Sequence, residues 1–167
     1  MIKIVVNCSP LIFLSKIGRL DLLRDYTVYI PIQVVREVAK GKEKNREGVL
    51  LLEEFFRREN VTKKKVEIFP TLPNNLGEGE QAVISLAAKE GIPLILVDER
   101  KARIVARLHN LNPKGTLWIL KEAQKKGMIG SEIVEELTFE LVQKGYRIKE
   151  EILIEFLKSI TFNLSDS

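Results

Sequence analysis

The chain is poor in the side chains that most often carry chemistry. Its 167 residues include one cysteine, Cys8, and one histidine, His109. A single cysteine can form no internal disulfide and no thiolate metal site, so a reducing, cytoplasmic setting is expected. A single histidine excludes a multi-histidine zinc centre and argues against hydrolysis by a Ser–His–Asp triad. Aromatic residues are only 7% of the chain; Trp118 lies between Leu117 and Ile119, and with Phe55, Phe56, Phe139 and Phe156 it reads as core or interface packing rather than as a base-stacking platform. Apolar runs are short: the clearest, Pro93 to Val97, is far below the ~20 residues of a membrane span. The opening Met1-Ile2-Lys3-Ile4 has no basic segment followed by an apolar stretch, so no secretory leader and no membrane partner are expected. There is no Pro- or Gly-rich linker, internal repeat or low-complexity segment.

What remains is an ordinary globular composition, 45% hydrophobic and 30% charged, which excludes a disordered or collagen-like chain. The formal charge of +4 permits a polyanionic partner without requiring one. The charged residues are rich in Lys, Arg and Glu, pointing to a heat-adapted source. With His and Cys scarce, any acid–base or metal chemistry falls to carboxylates.

Strand and helix signals alternate. Ile2 to Val6 is short, β-branched and mostly apolar, and reads as a strand buried on both faces, as in a parallel sheet. Ser9 and Pro10 suit the start of a helix that Gly18 ends, and Arg19 to Asp25 reads as a short helix. Thr27 to Ile30 predicts a second strand, followed by a helix from Pro31. Gly41 to Gly48 is polar, and Val49 to Arg58 has helical spacing. Val66 to Phe69 predicts the third strand. Gly77 to Lys89 predicts a helix with Ala82, Val83, Leu86 and Ala87 on its apolar face. Ile92 to Val97 predicts a strand ended by Asp98, and Glu99 to Leu108 a helix. Three further helices are expected at Gly115 to Lys126, Ser131 to Lys144 and Lys149 to Ser159, then a tail from Thr161. The expected fold is α/β, a central parallel sheet covered on both faces, with residues 1–128 as the main domain and 129–167 as a helical C-terminal extension packing on that domain or on a dimer partner.

In an open parallel sheet, ligands bind beyond the carboxyl ends of the strands. The polar residues expected there are Asn7 and Ser9 after the first strand, Glu37 on the helix after the second, Glu78 and Glu80 opening the long helix, and Asp98 and Glu99 after the strongest strand. Each has an ordinary structural reading, as a helix-dipole acid, a cap or a solvated side chain. Together they form a rim of like charges, which a hard divalent cation relieves. Mg²⁺ and Mn²⁺ favour oxygen donors and leave water positions open to a phosphate, and so placed they activate water for phosphodiester cleavage.

The order Ile4-Val5-Val6-Asn7-Cys8-Ser9-Pro10-Leu11-Ile12, Ile30-Pro31 to Val34 and Glu37, Gly77-Glu78-Gly79-Glu80-Gln81-Ala82-Val83 and Leu94-Ile95-Leu96-Val97-Asp98-Glu99-Arg100 with Ala102-Arg103 resembles the PIN-domain ribonucleases. It is most similar to a short prokaryotic, VapC-like branch, and Gly115-Thr116-Leu117 and Lys125 to Ile129 continue the match. The resemblance spans roughly residues 2 to 155 and rests on order and spacing rather than on any single motif. It implies a three-layer α/β/α sandwich and Mg²⁺- or Mn²⁺-dependent cleavage of single-stranded RNA. It also implies a toxin-like role with an antitoxin protein as partner, and a homodimer. By position, Glu37, Glu80 and Asp98 are the second to fourth acids, catalytic and, with Asn7, metal-holding, and Ser9, also catalytic, is the hydroxyl residue of the first motif; Glu78 and Glu99 are auxiliary. One residue departs from the pattern: the first acid, normally Asp, is Asn7. An amide oxygen can ligate a hard cation but brings no charge, so weakened activity is expected, or a catalytically inactive module that binds nucleic acid or a partner.

Arg100, Arg103 and Arg107 recur on one helix face beside Asp98 and are candidates for positioning RNA through its phosphates; their ordinary reading is a solvated face. Arg57, Arg58 and Lys63 to Lys65 read as a solvated loop, and Arg36, Lys40, Lys42, Lys44 and Arg46 as a basic clamp near Glu37. A receiver- or dehalogenase-type phosphoryl transferase places a nucleophilic Asp directly after a strand; Asn7 cannot serve there, and Asp98 could, but the partner lysine pattern is not found.

Overall fold

The computed structural model describes the backbone of residues 1–43 and 48–165 and the side chains of residues 1–41 and 48–160. Lys42, Lys44 and Arg46 of the expected basic clamp lie outside the described side chains. The chain forms two compact units, Met1–Thr116 and Leu117–Ser167.

The first unit is built on five strands: β1 (Ile2–Val6), β2 (Tyr26–Pro31), β3 (Val61–Lys64), β4 (Leu94–Leu96) and β5 (Asn112–Lys114). Their order is β3-β2-β1-β4-β5, and every pair is parallel. Ile4, Val5 and Val6 have no exposed surface, nor do Ile95 and Leu96, as expected of central strands covered on both faces. The helices are α1 (Cys8–Lys16), α2 (Ile32–Glu43), α3 (Val49–Phe55), α4 (Glu78–Glu90) and α5 (Arg100–Leu108), with a 3₁₀ turn at Leu20–Leu23. This is the expected α/β/α architecture. From β1 the chain winds outward through β2 to β3, then returns across the sheet to β4 on the other side of β1. The direction of winding therefore reverses between β1 and β4, and a ligand crevice is expected outside their carboxyl ends.

Two strands depart from the sequence reading. The third strand is Val61–Lys64 rather than Val66–Phe69: Val28 pairs with Val61 and Pro31 with Lys64. It is the edge strand, so its outer side needs no apolar residue, and lysines there discourage pairing with another chain. Val66–Phe69 is extended loop instead, held where the Gln33 amide donates to Val66 O at 3.0 Å and the Phe69 N–H to the buried Ser85 hydroxyl at 3.0 Å. The fifth strand, Asn112–Lys114, follows the helix predicted to Leu108, in a segment for which the sequence reading has no strand. The residue at its centre is Pro113, and its partner is Ile95. Arg19 to Asp25 is a single 3₁₀ turn rather than a longer helix.

The second unit contains α6 (Thr116–Lys125) apart from its first residue, α7 (Ser131–Gln143) and α8 (Glu150–Ser165). Val134, Leu137 and Leu141 form the buried stripe of α7, and the buried Thr138 hydroxyl returns to Val134 O at 2.7 Å. The last helix runs to Ser165, through the expected tail. Gly127, with a φ of +74°, follows the end of α6.

Candidate metal and phosphate site

The carboxyl ends of β1 and β4 lie side by side, and the Asn7 N–H donates to Leu96 O at 3.0 Å. Asn7 caps β1 and opens α1; Asp98 stands two residues past β4. The side chains near these strand ends form two groups.

One half of the site is centred on Asp98. Its Oδ1 accepts the Thr116 N–H at 2.8 Å, and its Oδ2 accepts the Thr116 hydroxyl at 2.8 Å and the Ser9 hydroxyl at 3.2 Å. Ser9 thus meets Asp98, 89 residues away in sequence. Thr116, fully buried, supplies two of these bonds. Sequence reasoning noted it only as part of a Gly-Thr pair; its signal was a hydroxyl residue just beyond the polar Asn112–Lys114 segment, which was not seen to be a strand. Thr116→Val keeps the shape and the backbone bond but removes a donor to a partly buried carboxylate. It is expected to lower unfolding free energy by about 1.5–3 kcal/mol, measured by chemical denaturation.

The other half is centred on the N-terminus of α4. Gly77 opens this helix with no side-chain capping bond of its own. Instead the Gly79 N–H donates to Glu37 Oε1 at 3.0 Å, so an acid on α2 faces the positive end of α4. Asn7 Oδ1 approaches the same point: a Cβ built on Gly79 would lie 3.2 Å from it. The loop leading into the turn is held by the Gln81 amide, which donates to Pro73 O at 2.9 Å and Leu76 O at 3.2 Å.

Glu80 joins this group electrostatically. Its pKa is pushed from 4.5 to about 7, first by burial and then by the negative charges of Glu99 and Glu37. Two oxygens in the crevice, Asn7 Oδ1 and Glu80 Oε2, are buried and have no hydrogen-bond partner. Such atoms are uncommon in a finished interior and call for an occupant.

The structure therefore brings Asn7, Glu37 and Glu80 to one crevice with Glu99, and Ser9 to Asp98. Glu78 is exposed in the first turn of α4. Among the described residues, no group of three or more His, Cys, Asp or Glu side chains is placed to hold a metal ion; Asn7 occupies a position where an acid would add to the count. On α5, Ala102 and Ala106 face inward, Arg100 and Arg107 are exposed and Arg103 is half-buried. None of these arginines is ion-paired among the described residues.

A family model described as PIN domain matches residues 3–161. Among solved structures, a PilT N-terminus domain protein from the hyperthermophilic archaeon Sulfolobus solfataricus is similar in fold. Its TM-score is 0.55 at 16% identity, over 73% of this chain and 93% of that one. No curated protein matches.

Proposed function

The chain belongs to the PIN-domain family, a nuclease fold, and we propose that it is a Mg²⁺- or Mn²⁺-dependent endoribonuclease acting on single-stranded RNA, with activity weakened by Asn7. The observation that carries this reading is the pair of buried, unpartnered oxygens, Asn7 Oδ1 and Glu80 Oε2, in a crevice that also contains Glu37. The available donors are all oxygen, which fits a hard divalent cation. Asn7, Glu37, Glu80 and Asp98 would hold the ion, and a bound ion supplies Lewis acidity that activates water and offsets phosphodiester charge.

The residues of the chain have separate tasks. Ser9 and Thr116 keep the Asp98 carboxylate in one orientation through their hydroxyls. Burial keeps Glu80 able to carry a proton near neutral pH. Arg100, Arg103 and Arg107 lie on a helix that begins two residues after Asp98, and we assign to them the binding of flanking phosphates without reading sequence. Phe139, Val142, Ile152 and Ile154 are 40–50% exposed on the C-terminal helices. We assign to this apolar surface the partner expected of the family, either a second copy in a homodimer or an antitoxin protein. No helix among the described residues is long and apolar enough to cross a membrane, and we assign the protein to the cytoplasm.

The test is thermal. Mn²⁺ at a hundredfold excess over its Kd should stabilise the fold by about 2.7 kcal/mol, seen as a rise in Tm. Asp98→Asn should abolish that rise together with cleavage of a fluorescent single-stranded RNA. The lost charge at Asn7 supports a second reading, a catalytically inactive module that binds nucleic acid or a partner. RNA binding without cleavage in any metal, by the wild type and by Asn7→Asp alike, would establish it.

A further inference from the structure

We propose that Gly79 is a positioning residue of the carboxylate pocket. By lacking a Cβ it leaves the space in which the Glu37 carboxylate sits, and by donating its N–H it fixes that carboxylate beside the Asn7 amide. A Cβ at this position would run into Glu37 Oε1; it would also lie 3.0 Å from Glu37 Cδ and 3.2 Å from Asn7 Oδ1. The contrast with Gly77 is direct: there a Cβ would meet Glu80 Oε1 at 3.5 Å, an ordinary contact.

The backbone supplies no other reason for glycine. Gly18, Gly48, Gly91, Gly127 and Gly145 have positive φ, and Gly79 does not. It is the second residue of α4 and is buried, in a conformation where alanine is the better helix former. What glycine provides here is volume. A carboxylate from α2, 42 residues earlier, docks directly on the backbone N–H at 3.0 Å. With Oε1 committed to that bond, Glu37 has a fixed direction, and its second oxygen makes no hydrogen bond among the described residues. The first turn of α4 thus orients one acid from beyond the helix and carries another, Glu80, within it.

A methyl group at position 79 meets the far end of a flexible side chain rather than backbone. The chain can accommodate it by swinging Glu37 away, so the variant should fold and lose the pocket geometry. This inference rests on the pocket's being a cation site, and the experiment separates the two claims. Calorimetric titration with Mn²⁺ is run on the wild type, Gly79→Ala, Gly77→Ala, Glu37→Asp and the double variant Gly79→Ala/Glu37→Asp, each checked for its metal-free Tm. Gly79→Ala should melt close to the wild type yet bind Mn²⁺ about 10- to 100-fold more weakly, the range found for groups that orient metal ligands. Gly77→Ala should leave binding within about threefold. Shortening the acid should relieve the collision, so the two losses should be less than additive in the double variant. Wild-type affinity in Gly79→Ala, or fully additive losses, would overturn the proposal.

If the wild type itself binds no Mn²⁺, the cation reading fails, and the seating of Glu37 is decided in the metal-free protein. The Gly79 amide proton should then resonate well downfield in the wild type and move upfield in Glu37→Ala. An unmoved Gly79 resonance would overturn the positioning role independently of any metal.

Discussion

Asn7→Asp is expected to tighten Mn²⁺ binding by about one to two orders of magnitude and to raise RNA cleavage with it. Asn7 is buried, and its Oδ1 is unpartnered next to the Glu37 carboxylate. A unit negative charge about 4 Å from a divalent ion at an effective dielectric near 20 is attracted by about 8 kcal/mol. Most of that is cancelled by desolvating the new carboxylate and by repulsion from Glu37, Glu80 and Glu99, leaving a gain of about 1.4–2.7 kcal/mol. The same repulsion gives the prediction a second, opposite sign. Without metal the variant should melt below the wild type, because another negative charge enters a group where burial first, and then Glu99 and Glu37, already disfavour the ionised form of Glu80. With saturating Mn²⁺ it should melt above it. Scanning fluorimetry with and without Mn²⁺, beside an RNA cleavage time course, reads both signs. Unchanged metal affinity would mean that Asn7 does not face the ion.

The legible parts of the fold are those set by burial on both faces. Ile4–Val6 and Leu94–Leu96 lie in central strands, and their apolar runs announce them. The edges were not legible in the same way. At β3 one side of the strand faces solvent, so Thr62, Lys63 and Lys64 satisfy it, while the more apolar Val66–Phe69 is drawn into a loop packed against Ser85. At β5, three residues centred on Pro113 are enough because only β4 pairs with them; neither length nor composition distinguishes such a segment from a helix end.

The acids of the candidate site could be named from the sequence because strand ends are recognisable and a parallel sheet gathers its strand ends at one edge. The Ser9–Asp98 contact could not, although both residues follow adjacent central strands. The supporting contacts were not legible. Thr116 depends on the unrecognised β5, and Gly79 reads as one more small residue in Gly77-Glu78-Gly79-Glu80 until the Glu37 side chain is seen occupying the place of its missing Cβ. Chain order identifies which residues reach an edge; which backbone N–H a given carboxylate accepts is decided by packing across helices.

Mn²⁺ affinity should fall about tenfold for each pH unit below about 7, and the cause is Glu80. Burial, and then Glu99 and Glu37, raise its pKa from 4.5 to about 7. In the metal-free protein the folded state therefore holds this proton more tightly than the unfolded chain does. Below about pH 4.5 the group is neutral in both states and exerts no differential effect. Between about 4.5 and 7 folding requires proton uptake, so stability falls as pH rises, and above about 7 the loss is complete. Glu80 is only partly buried, so the full shift is discounted for solvent screening, leaving a loss of about 1–2 kcal/mol. Metal binding runs the other way, because an ion held by Glu80 must displace its proton. At about pH 6, calorimetry in buffers of different ionisation enthalpy should show close to one proton released per Mn²⁺ bound. Glu80→Gln should flatten both profiles: its metal-free stability should exceed that of the wild type at about pH 8 by about 1–2 kcal/mol, while its Mn²⁺ affinity becomes weaker and nearly independent of pH between about 5 and 7. A wild-type affinity that is already flat over that range would show that the ion does not engage Glu80, and would leave the raised carboxyl as a feature of burial alone.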